Sequence, residues 1–448
     1  MEKVFSREWL GRPLTIKTGK VAKAANAAVW VQYGETVVQA TVVQAKTERD
    51  VDFFPLMVDF EEKLYAAGII KGSRWIKREG RPSDQSVLIG RMIDRSIRPL
   101  FNVGDNRDIQ VIITVLAVDQ ENDYDIVSLI AASAALSISG VNWQGPIGGI
   151  RVGLINDNFV FNPTYEEQAL SSLDLIVAGT EKKVIMLEAG ANEIPEPIVF
   201  KAIAAGQKEL QVAIDLIKEL QSNVEIKANT KATKEKSATE LEAEKEKEEL
   251  LSLGKIWLQK NIKSILFDKE HYTKGERKAA VGAIKEGLDD YLTSQELSLE
   301  KRNFISKNLV EAMIDEEITN ALINDKKRVD GRALNEIRDL SAEVAILPRC
   351  HGTSLFSRGE TQVMSIATLG APGMEQSLEG LEGQSKKRYM HHYNFPPYSV
   401  GEASFLRGTG RREIGHGALA EKALMPVIPT KEEFPYTVRV VSETLGSN

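Results

Sequence analysis

Cysteine is almost missing from this sequence of 448 residues, in which Cys350 stands alone. A single cysteine forms neither an internal disulfide nor a cysteine-based zinc site, so we predict a protein of a reducing, cytoplasmic compartment. Long apolar runs are missing as well, because none approaches the ~18 to 20 residues that cross a bilayer. The first residues show neither an apolar signal core nor a transit pattern, so we expect neither secretion nor a membrane partner.

Positive charge is not in excess, since the formal net charge is -7. Such a total does not exclude a polyanion partner, because an electrostatic footprint is a local property. Two stretches are basic: residues 71–98 contain eight basic and three acidic residues, and residues 386–416 contain six and two. With 42% hydrophobic and 27% charged residues, the composition is that of a folded globular protein. The sequence describes an acidic protein with two basic patches.

The first ~220 residues combine strand and helix patterns. Two runs rich in β-branched and aromatic residues, Val29–Tyr33 and Thr36–Val43, predict a β-hairpin around Gly34. Ile109–Val118 predicts a strand covered on both faces, and Ile126–Ile138 predicts a buried helix. Further candidates are strands at 173–179 and 184–188 and a helix at 210–220.

The composition changes sharply after this region. Residues 227–249 contain six lysines, seven glutamates and no aromatic residue, so they cannot bury a core and form a solvated helix or a linker. Apolar residues at helical spacing then predict helices near 256–266 and 309–322. Strand patterns are nearly absent from 227–325, which predicts a small all-helical domain.

The last third of the chain repeats features of the first. Gly34-Glu35-Thr36 and Gly359-Glu360-Thr361 are 325 residues apart, and so are Ile89-Gly90 and Ile414-Gly415. The equal spacing indicates a duplicated domain around a helical spacer. We therefore predict an α+β fold with a first core at 1–225, an all-helical domain at 226–325 and the N-terminal part of a second core at 326–448.

The first basic patch begins with a loop in which Trp75 lies among cations. Aromatic faces stack bases and cations contact phosphates, a combination that binds single strands without reading their sequence. The alternative is an ordinary basic surface loop. A helix capped by Ser83 should follow and end before Pro99, with three arginines on one face as either a solvated face or a continued phosphate track. The candidate RNA contacts of this patch are Trp75, Lys77, Arg78, Arg81, Arg91, Arg95 and Arg98.

The second basic patch contains Gly-Thr-Gly-Arg-Arg-Glu-Ile-Gly-His-Gly at 408–417. Arg411 and Arg412 offer two planar guanidinium forks for phosphate, and the glycines let the backbone approach an anion. His416 either positions a phosphate or caps a turn. Arg358, beside a hairpin glycine, is a candidate RNA contact or a surface turn residue. Neither a Rossmann fingerprint nor a P-loop is present, and no metal ligand set can be recognised.

Longer motifs in both halves resemble a known family. They are Tyr65 to Gly68, Lys77 to Ser83, Arg98 to Phe101, Gly145 to Gly148, Phe356 to Gln362, Tyr393 to Glu402 and Arg411 to Gly417. In this order they are similar to the two ribonuclease PH-like cores of the bacterial polynucleotide phosphorylases. The resemblance covers nearly the whole chain and accounts for the duplication and for the helical spacer.

The resemblance implies an enzyme that degrades RNA from the 3′ end with inorganic phosphate as nucleophile, releases nucleoside diphosphates, and runs in reverse as a polymerase. It also implies a homotrimeric ring that threads single-stranded RNA, Mg2+ or Mn2+ as cofactor, and partners from RNA-degradation complexes. The family's constriction loop corresponds to Trp75–Arg78. Its phosphate and RNA site corresponds to Arg411, Arg412 and His416, which we expect to be the catalytic residues.

The sequence departs from the family pattern at two places. Ile76 stands where the constriction loop usually has a second aromatic residue, so one stacking platform is expected to be missing. The family's phosphate-binding serines, its metal-binding aspartates and its KH and S1 modules correspond to positions beyond Asn448. We therefore expect an incomplete second core, which leaves this chain between phosphorolysis and the alternative of a non-catalytic RNA-binding or ring-scaffold protein.

Overall fold

The computed structural model describes residues 2–49, 51, 53–72, 77–101, 106–226, 238–406 and 408–447, with the backbone alone at 238–244. The chain forms two compact units. The first comprises Met1–Thr230, Ala367–Asn394 and Arg407–Ser442, and the second comprises Lys231–Ile366, Phe395–Leu406 and Glu443–Asn448. The domain boundaries expected at 225 and 325 follow the repeat in the sequence and stay a prediction. No helix in the described ranges is long and apolar enough to cross a membrane.

The first sheet of the first unit has six strands in the order β1-β2-β3-β4-β6-β5. Its strands are β1 (Lys3–Trp9), β2 (Arg12–Thr18), β3 (Ala27–Tyr33), β4 (Thr36–Glu48), β5 (Leu56–Glu61) and β6 (Arg107–Ala117). Helix α1 (Asp84–Ile97) connects β5 to β6, which is the one parallel pair of this sheet. The predicted hairpin is β3–β4, and Gly34 in its turn has a φ of 59°, a conformation that favours glycine.

A second sheet with the order β10-β9-β7-β8 completes this part. Its elements are α2 (Tyr124–Ile138), β7 (Gly148–Ile155), β8 (Asn158–Phe161), α3 (Tyr165–Leu170), β9 (Leu173–Gly179), β10 (Val184–Ala191), α4 (Glu196–Glu209) and α5 (Gln211–Asn223). The predicted strands β6, β9 and β10 and helices α2 and α5 are confirmed. The sequence patterns did not predict β1, β2, β7, β8, α3 or α4.

Helix α2 forms the centre of the first core. All of its residues are buried, because it contacts β3, β4 and β6 of the first sheet and also β7 and α5. A helix that is apolar on every side is stable only when it is enclosed in this way. The strands beneath it alternate, and Val38, Ala40 and Val42 of β4 are fully buried.

The predicted all-helical region consists of α6 (Ala238–Phe267), α7 (Lys274–Ser294) and α8 (Leu299–Asn320). These helices pack through a small apolar cluster that includes Leu258, Ile284 and Val310. The two predicted helices begin earlier than expected, and α7 was not predicted, because its apolar residues are spaced widely among charged ones. The described part of the lysine- and glutamate-rich stretch, from 238 onward, belongs to α6, and residues 227–237 lie outside the described residues.

A five-stranded sheet in the last third has the order β11-β12-β13-β17-β16. The elements are β11 (Leu340–Val344), β12 (Gly352–Arg358), β13 (Thr361–Gly370), β14 (Gln376–Gly380), β15 (Gly383–Lys387), β16 (Tyr389–Asn394), α9 (Arg411–Leu424) and β17 (Thr437–Gly446). This order repeats β2-β3-β4-β6-β5 of the first sheet. Helix α9 lies between β16 and β17 in the chain, as α1 lies between β5 and β6. The predicted duplication is therefore present in the fold.

Candidate functional site

Helix α9 carries the second basic patch in the first unit. The backbone N–H of Gly410 donates to Glu413 Oε2 at 2.7 Å, so the helix begins directly after the first two glycines. His416 lies inside the helix, and the alternative in which it caps a turn is wrong. A Cβ on Gly417 would lie 2.8 Å from the carbonyl oxygen of His391, so this glycine lets α9 lie close to β16 rather than to an anion.

The two arginines at the start of α9 have different environments. The guanidinium of Arg411 donates to the carbonyl oxygen of Val58 at 2.5 Å and lies 3.4 Å from Asp59 Oδ1, so it binds α9 to β5. Arg412 is exposed. Consecutive helical residues point ~100° apart, which separates the two forks that the sequence suggested as a pair. Both side chains are exposed, and Arg411 is the one whose guanidinium is bound to β5.

His416 lies one turn further along α9. Its ring packs against the Tyr393 ring, with centroids 5.0 Å apart. Burial lowers the pKa of His416 below its ordinary value, and the positive charges of Arg412 and Arg91 lower it further. A neutral imidazole at this position can accept or donate a hydrogen bond without adding to the positive charge of the patch.

Helix α1 carries the arginines of the first basic patch. As predicted, Ser83 caps it by accepting a hydrogen bond from the Ser86 N–H at 3.0 Å. The arginines do not form one continuous track. Arg98 is bound by Asp94 at 2.8 Å and by two backbone carbonyl groups, and Arg95 is bound by Glu188 of β10. Their expected phosphate contacts stay predictions, and they compete with carboxylates that the sequence did not reveal as partners.

Arg91 differs from the other two arginines of α1. It is half-buried and has no hydrogen-bond or ion-pair partner within the described ranges. Burial lowers its pKa, and the nearby positive charges of Arg95, Arg411 and Arg412 act in the same direction. The structure therefore places Arg91 with the residues of the second basic patch.

The loop of the first patch is described in part. Trp75 and residues 73–76 lie outside the described residues. Lys77 donates from Nζ to the carbonyl oxygen of Lys71 at 3.0 Å, and Arg78 and Arg81 are exposed. Arg358 is exposed at the end of β12, where Gly359 makes the hairpin turn with a φ of 58°. Each of these residues remains a predicted RNA contact.

The adjacent histidines of β16 face opposite sides, as expected for neighbours in a strand. His391 is buried, with Nδ1 2.9 Å from the Tyr389 hydroxyl and Nε2 2.9 Å from Ser442 Oγ. His392 accepts a hydrogen bond from Arg439 Nε at 3.1 Å. The two therefore do not share one ligand.

The expected divalent cation would need donor groups that converge on one point. Within the described part of the chain, no three His, Cys, Asp or Glu side chains converge to hold a metal ion. Mg2+ and Mn2+ need several oxygen ligands in a fixed geometry. The described residues do not provide such a set.

One charged cluster has no counterpart in the sequence predictions. Arg151 of β7 pairs with Asp123 and with Asp125 at 2.8 Å at the start of α2, and with Asp174 of β9 at 3.1 Å. Burial raises the pKa of Asp125 well above its ordinary value. These residues are far apart in the sequence and lack a motif, so only the fold reveals them. The cluster ties the buried helix to both neighbouring strands.

Comparisons with known proteins agree with the duplicated fold. A model of the 3′ exoribonuclease family, domain 1, matches residues 11–142 and again residues 336–448, and the domain 2 model of that family matches residues 145–209. The chain is similar to the polyribonucleotide nucleotidyltransferases of Geobacillus kaustophilus (44% identical over 100% of this chain), Alkaliphilus oremlandii (45%, 100%) and Desulfitobacterium hafniense (46%, 98%). It spans 60%, 62% and 59% of the length of these relatives.

Proposed function

Because this chain belongs to the 3′ exoribonuclease family, we propose that it acts in phosphorolytic degradation of single-stranded RNA from the 3′ end, with release of nucleoside diphosphates. The observation that carries the proposal is that Arg412 of α9 and Arg91 of α1 both lie near enough to His416 to lower its pKa, and that Arg91 packs against Gly415 of α9. Two guanidinium groups beside an imidazole that can donate a hydrogen bond are suited to bind two phosphate groups. The names of the relatives, which are nucleotidyltransferases, support the same reaction.

The proposed reaction joins two phosphate groups. An oxygen of hydrogen phosphate attacks the phosphorus of the last internucleotide link, and the bond from that phosphorus to the 3′ oxygen breaks. The proton of hydrogen phosphate passes to the leaving 3′ oxygen, so the products are a nucleoside diphosphate and an RNA shortened by one residue. Both reactants are anions, and their mutual repulsion must be reduced before the attack can occur.

The residues of α9 can lower the repulsion between the two phosphate groups. A guanidinium binds phosphate oxygens with two parallel N–H groups, and Arg412 is exposed for such a contact. His416, held neutral by burial and by its arginine neighbours, can hydrogen-bond to a phosphate oxygen and relay the proton. Arg411 fixes the helix to β5 through Val58 and Asp59, so its part in the reaction is to orient α9.

The RNA strand is proposed to reach this site along the first basic patch. Lys77, Arg78 and Arg81 follow the position of Trp75 in the sequence, and their cations would neutralise backbone phosphates. Arg358, in the second unit, is a separate candidate RNA contact. Such binding depends on salt and tolerates any sequence, because phosphates and base faces are common to all RNA.

The remaining expectations follow from the family. Members bind RNA and form multimeric rings, and we propose a cytoplasmic homotrimer that joins RNA-degradation complexes. Mg2+ or Mn2+ stays a prediction of the resemblance, without ligands among the described residues.

The test measures product release from poly(A) by this chain. With Mg2+ present, ADP should accumulate in proportion to inorganic phosphate, and Arg412→Gln should lower the rate by ~100-fold, the loss expected when one oxyanion-binding donor is removed. The matched control is Arg7→Gln, which removes the same charge from a surface pair with Glu219.

Two outcomes separate the candidate functions. Release of ADP that requires phosphate, with no other adenosine nucleotide formed, supports phosphorolysis. Poly(A) bound tightly with no ADP at saturating phosphate would contradict it and would favour the RNA-binding or ring-scaffold alternative.

A further inference from the structure

Helices α1 and α9, which belong to different copies of the duplicated domain, cross at matching glycines. Gly90 and Gly415 are the glycines of the Ile-Gly pairs 325 residues apart. A Cβ on Gly90 would lie 3.0 Å from Arg411 Nη2, and a Cβ on Gly415 would overlap Arg91 Nε and lie 3.1 Å from its Cζ. Each glycine therefore makes room for an arginine of the other helix.

Arg411 and Arg91 do not occupy matching positions of the two copies. The position that matches Arg411 in the first copy is Ser86, a buried small residue, and the position that matches Arg412 is Val87, which is also buried. The first copy thus has no arginine pair of its own. The position that matches His416 is Arg91, whose side chain is directed onto α9.

Arg91 lies in a charge environment that favours the binding of an anion. It is half-buried with no hydrogen-bond or ion-pair partner among the residues described. Asp94, a carboxylate three residues further along the same helix, is paired with Arg98 at 2.8 Å instead. Arg411 lies beside it on the other side of the helix crossing. Like charges at short range are unfavourable, and a bound anion between them removes that repulsion.

We infer that Arg91 completes the phosphate site of the second copy, and binds the oxygens of a phosphate group together with Arg412 and His416. The first copy contributes this cation across the helix crossing instead of forming a site on its own helix. The inference rests on the proposed function, because it assigns a further ligand to the same site. The phosphate group belongs either to inorganic phosphate or to the terminal phosphodiester of RNA.

The test uses the full chain and two titrations. Inorganic phosphate is titrated without RNA, and a fluorescent oligoadenylate is titrated in phosphate-free buffer. Arg91→Gln should weaken one or both affinities by about tenfold, Arg91→Lys should restore part of the loss, and Arg7→Gln should change neither. Circular dichroism and the melting temperature of Arg91→Gln should match the unchanged protein.

A second readout separates ligation from structural support. The pKa of His416, followed by NMR of its ring, should rise in Arg91→Gln because one positive neighbour is removed. A fall in phosphate affinity alone assigns the inorganic phosphate, and a fall in oligoadenylate affinity alone assigns the terminal phosphodiester.

The inference and the proposed function can fail separately. If Arg412→Gln weakens binding and Arg91→Gln changes neither affinity, the inference is overturned while the proposed function stands. If neither variant changes either affinity, both are overturned. If Arg91→Lys restores none of the lost affinity although it folds like the unchanged protein, the expected rescue by a cation fails and the inference is overturned.

Discussion

The two copies of the duplicated domain share an order of strands but differ in burial. In β4 of the first copy, Val38, Ala40 and Val42 are fully buried beneath α2, whereas no residue of the matching strand β13 is fully enclosed. Among the described residues from 326 onward, the buried apolar side chains are Leu381, Tyr389, Met390 and Val438. Leu381 belongs to the core of the first copy. The two copies thus share a strand order, whereas the fully buried positions of β4 lie where α2 packs on the sheet.

The largest difference between the two copies is expected when the same valine is replaced by alanine at matching positions. Val38 in β4 and Val363 in β13 are 325 residues apart, and the first is fully buried while the second is partly exposed. Val38→Ala should cost about 2 kcal/mol through two lost methyl groups and the remaining cavity. Val363→Ala should cost less than about 1 kcal/mol, because surrounding water already contacts the site.

Hydrogen exchange measured by mass spectrometry reports the loss of stability near each substituted valine. A local measurement is necessary because a chain of two units does not unfold in a single two-state transition. Protection should fall strongly in β3 and β4 for the first variant and weakly in β12 and β13 for the second. Equal losses would mean that the second copy has a core as well packed as the first.

A smaller effect is expected at the helix crossing. Gly415→Ala should destabilise the first unit by about 1.5 kcal/mol, because its Cβ overlaps Arg91, whose half-buried side chain must move out of its place against α9. Gly282→Ala in α7 is the control, since nothing lies within 4 Å of the added Cβ. It should stabilise its helix by up to about 1 kcal/mol. Hydrogen exchange of each helix should move in opposite directions in the two variants, and a shared direction would show that the crossing does not depend on the glycine.

The smallest effect concerns the hairpin turns at Gly34 and Gly359. Burial alone would raise the pKa of Asp119, but hydrogen bonds from Asn122, Glu121 and Glu35 lower it to about 2. A carboxyl whose pKa is lowered by folding adds stability above its ordinary value near 3.8, and that stability is lost as the pH falls through 2. Because water still reaches this half-buried carboxylate, its contribution is about 1 kcal/mol.

Exchange of the Glu35 and Thr36 amides, measured between pH 5 and pH 2, checks this contribution. The unchanged protein should lose protection at this turn as the pH falls, and Asp119→Asn should be nearly independent of pH over that range. The turn at Gly359 has a bond from its N–H to the carbonyl oxygen of Asp339 instead, so it should not respond. An equal response at both turns would remove Asp119 as the cause.

The sequence predicted much of the fold because its strongest patterns coincide with complete burial. The hairpin at 29–43, strand β9 and helix α2 follow from runs of β-branched or apolar residues whose period matches their structure. Strand β1 escaped prediction because its residues are mostly polar and exposed at the edge of the sheet. Strand β2 escaped prediction because its two fully buried residues, Leu14 and Ile16, are too few among polar neighbours to form a pattern. The duplication was detectable because Gly34 and Gly359 make turns with a positive φ, while Gly90 and Gly415 each leave room for an arginine.

The candidate site was predicted in composition but not in arrangement. The motif identified Arg411, Arg412 and His416, while the structure assigns Arg411 to β5 and brings Arg91 to the same helix. No local pattern distinguishes Arg91 from Arg95 and Arg98, because the carboxylate partner of Arg95 lies 93 residues away. Tertiary ion pairs of this kind cannot be read from helical periodicity.

The central claim is that both copies contribute to one phosphate site. The most direct measurement is a double-mutant cycle in which inorganic phosphate is titrated against the unchanged chain, Arg91→Gln, Arg412→Gln and the double variant. Residues that bind one ligand together are coupled, so each single variant should lose about tenfold in affinity and the double variant clearly less than the ~100-fold product. Strictly multiplicative losses, or no loss in Arg91→Gln, would contradict a shared site.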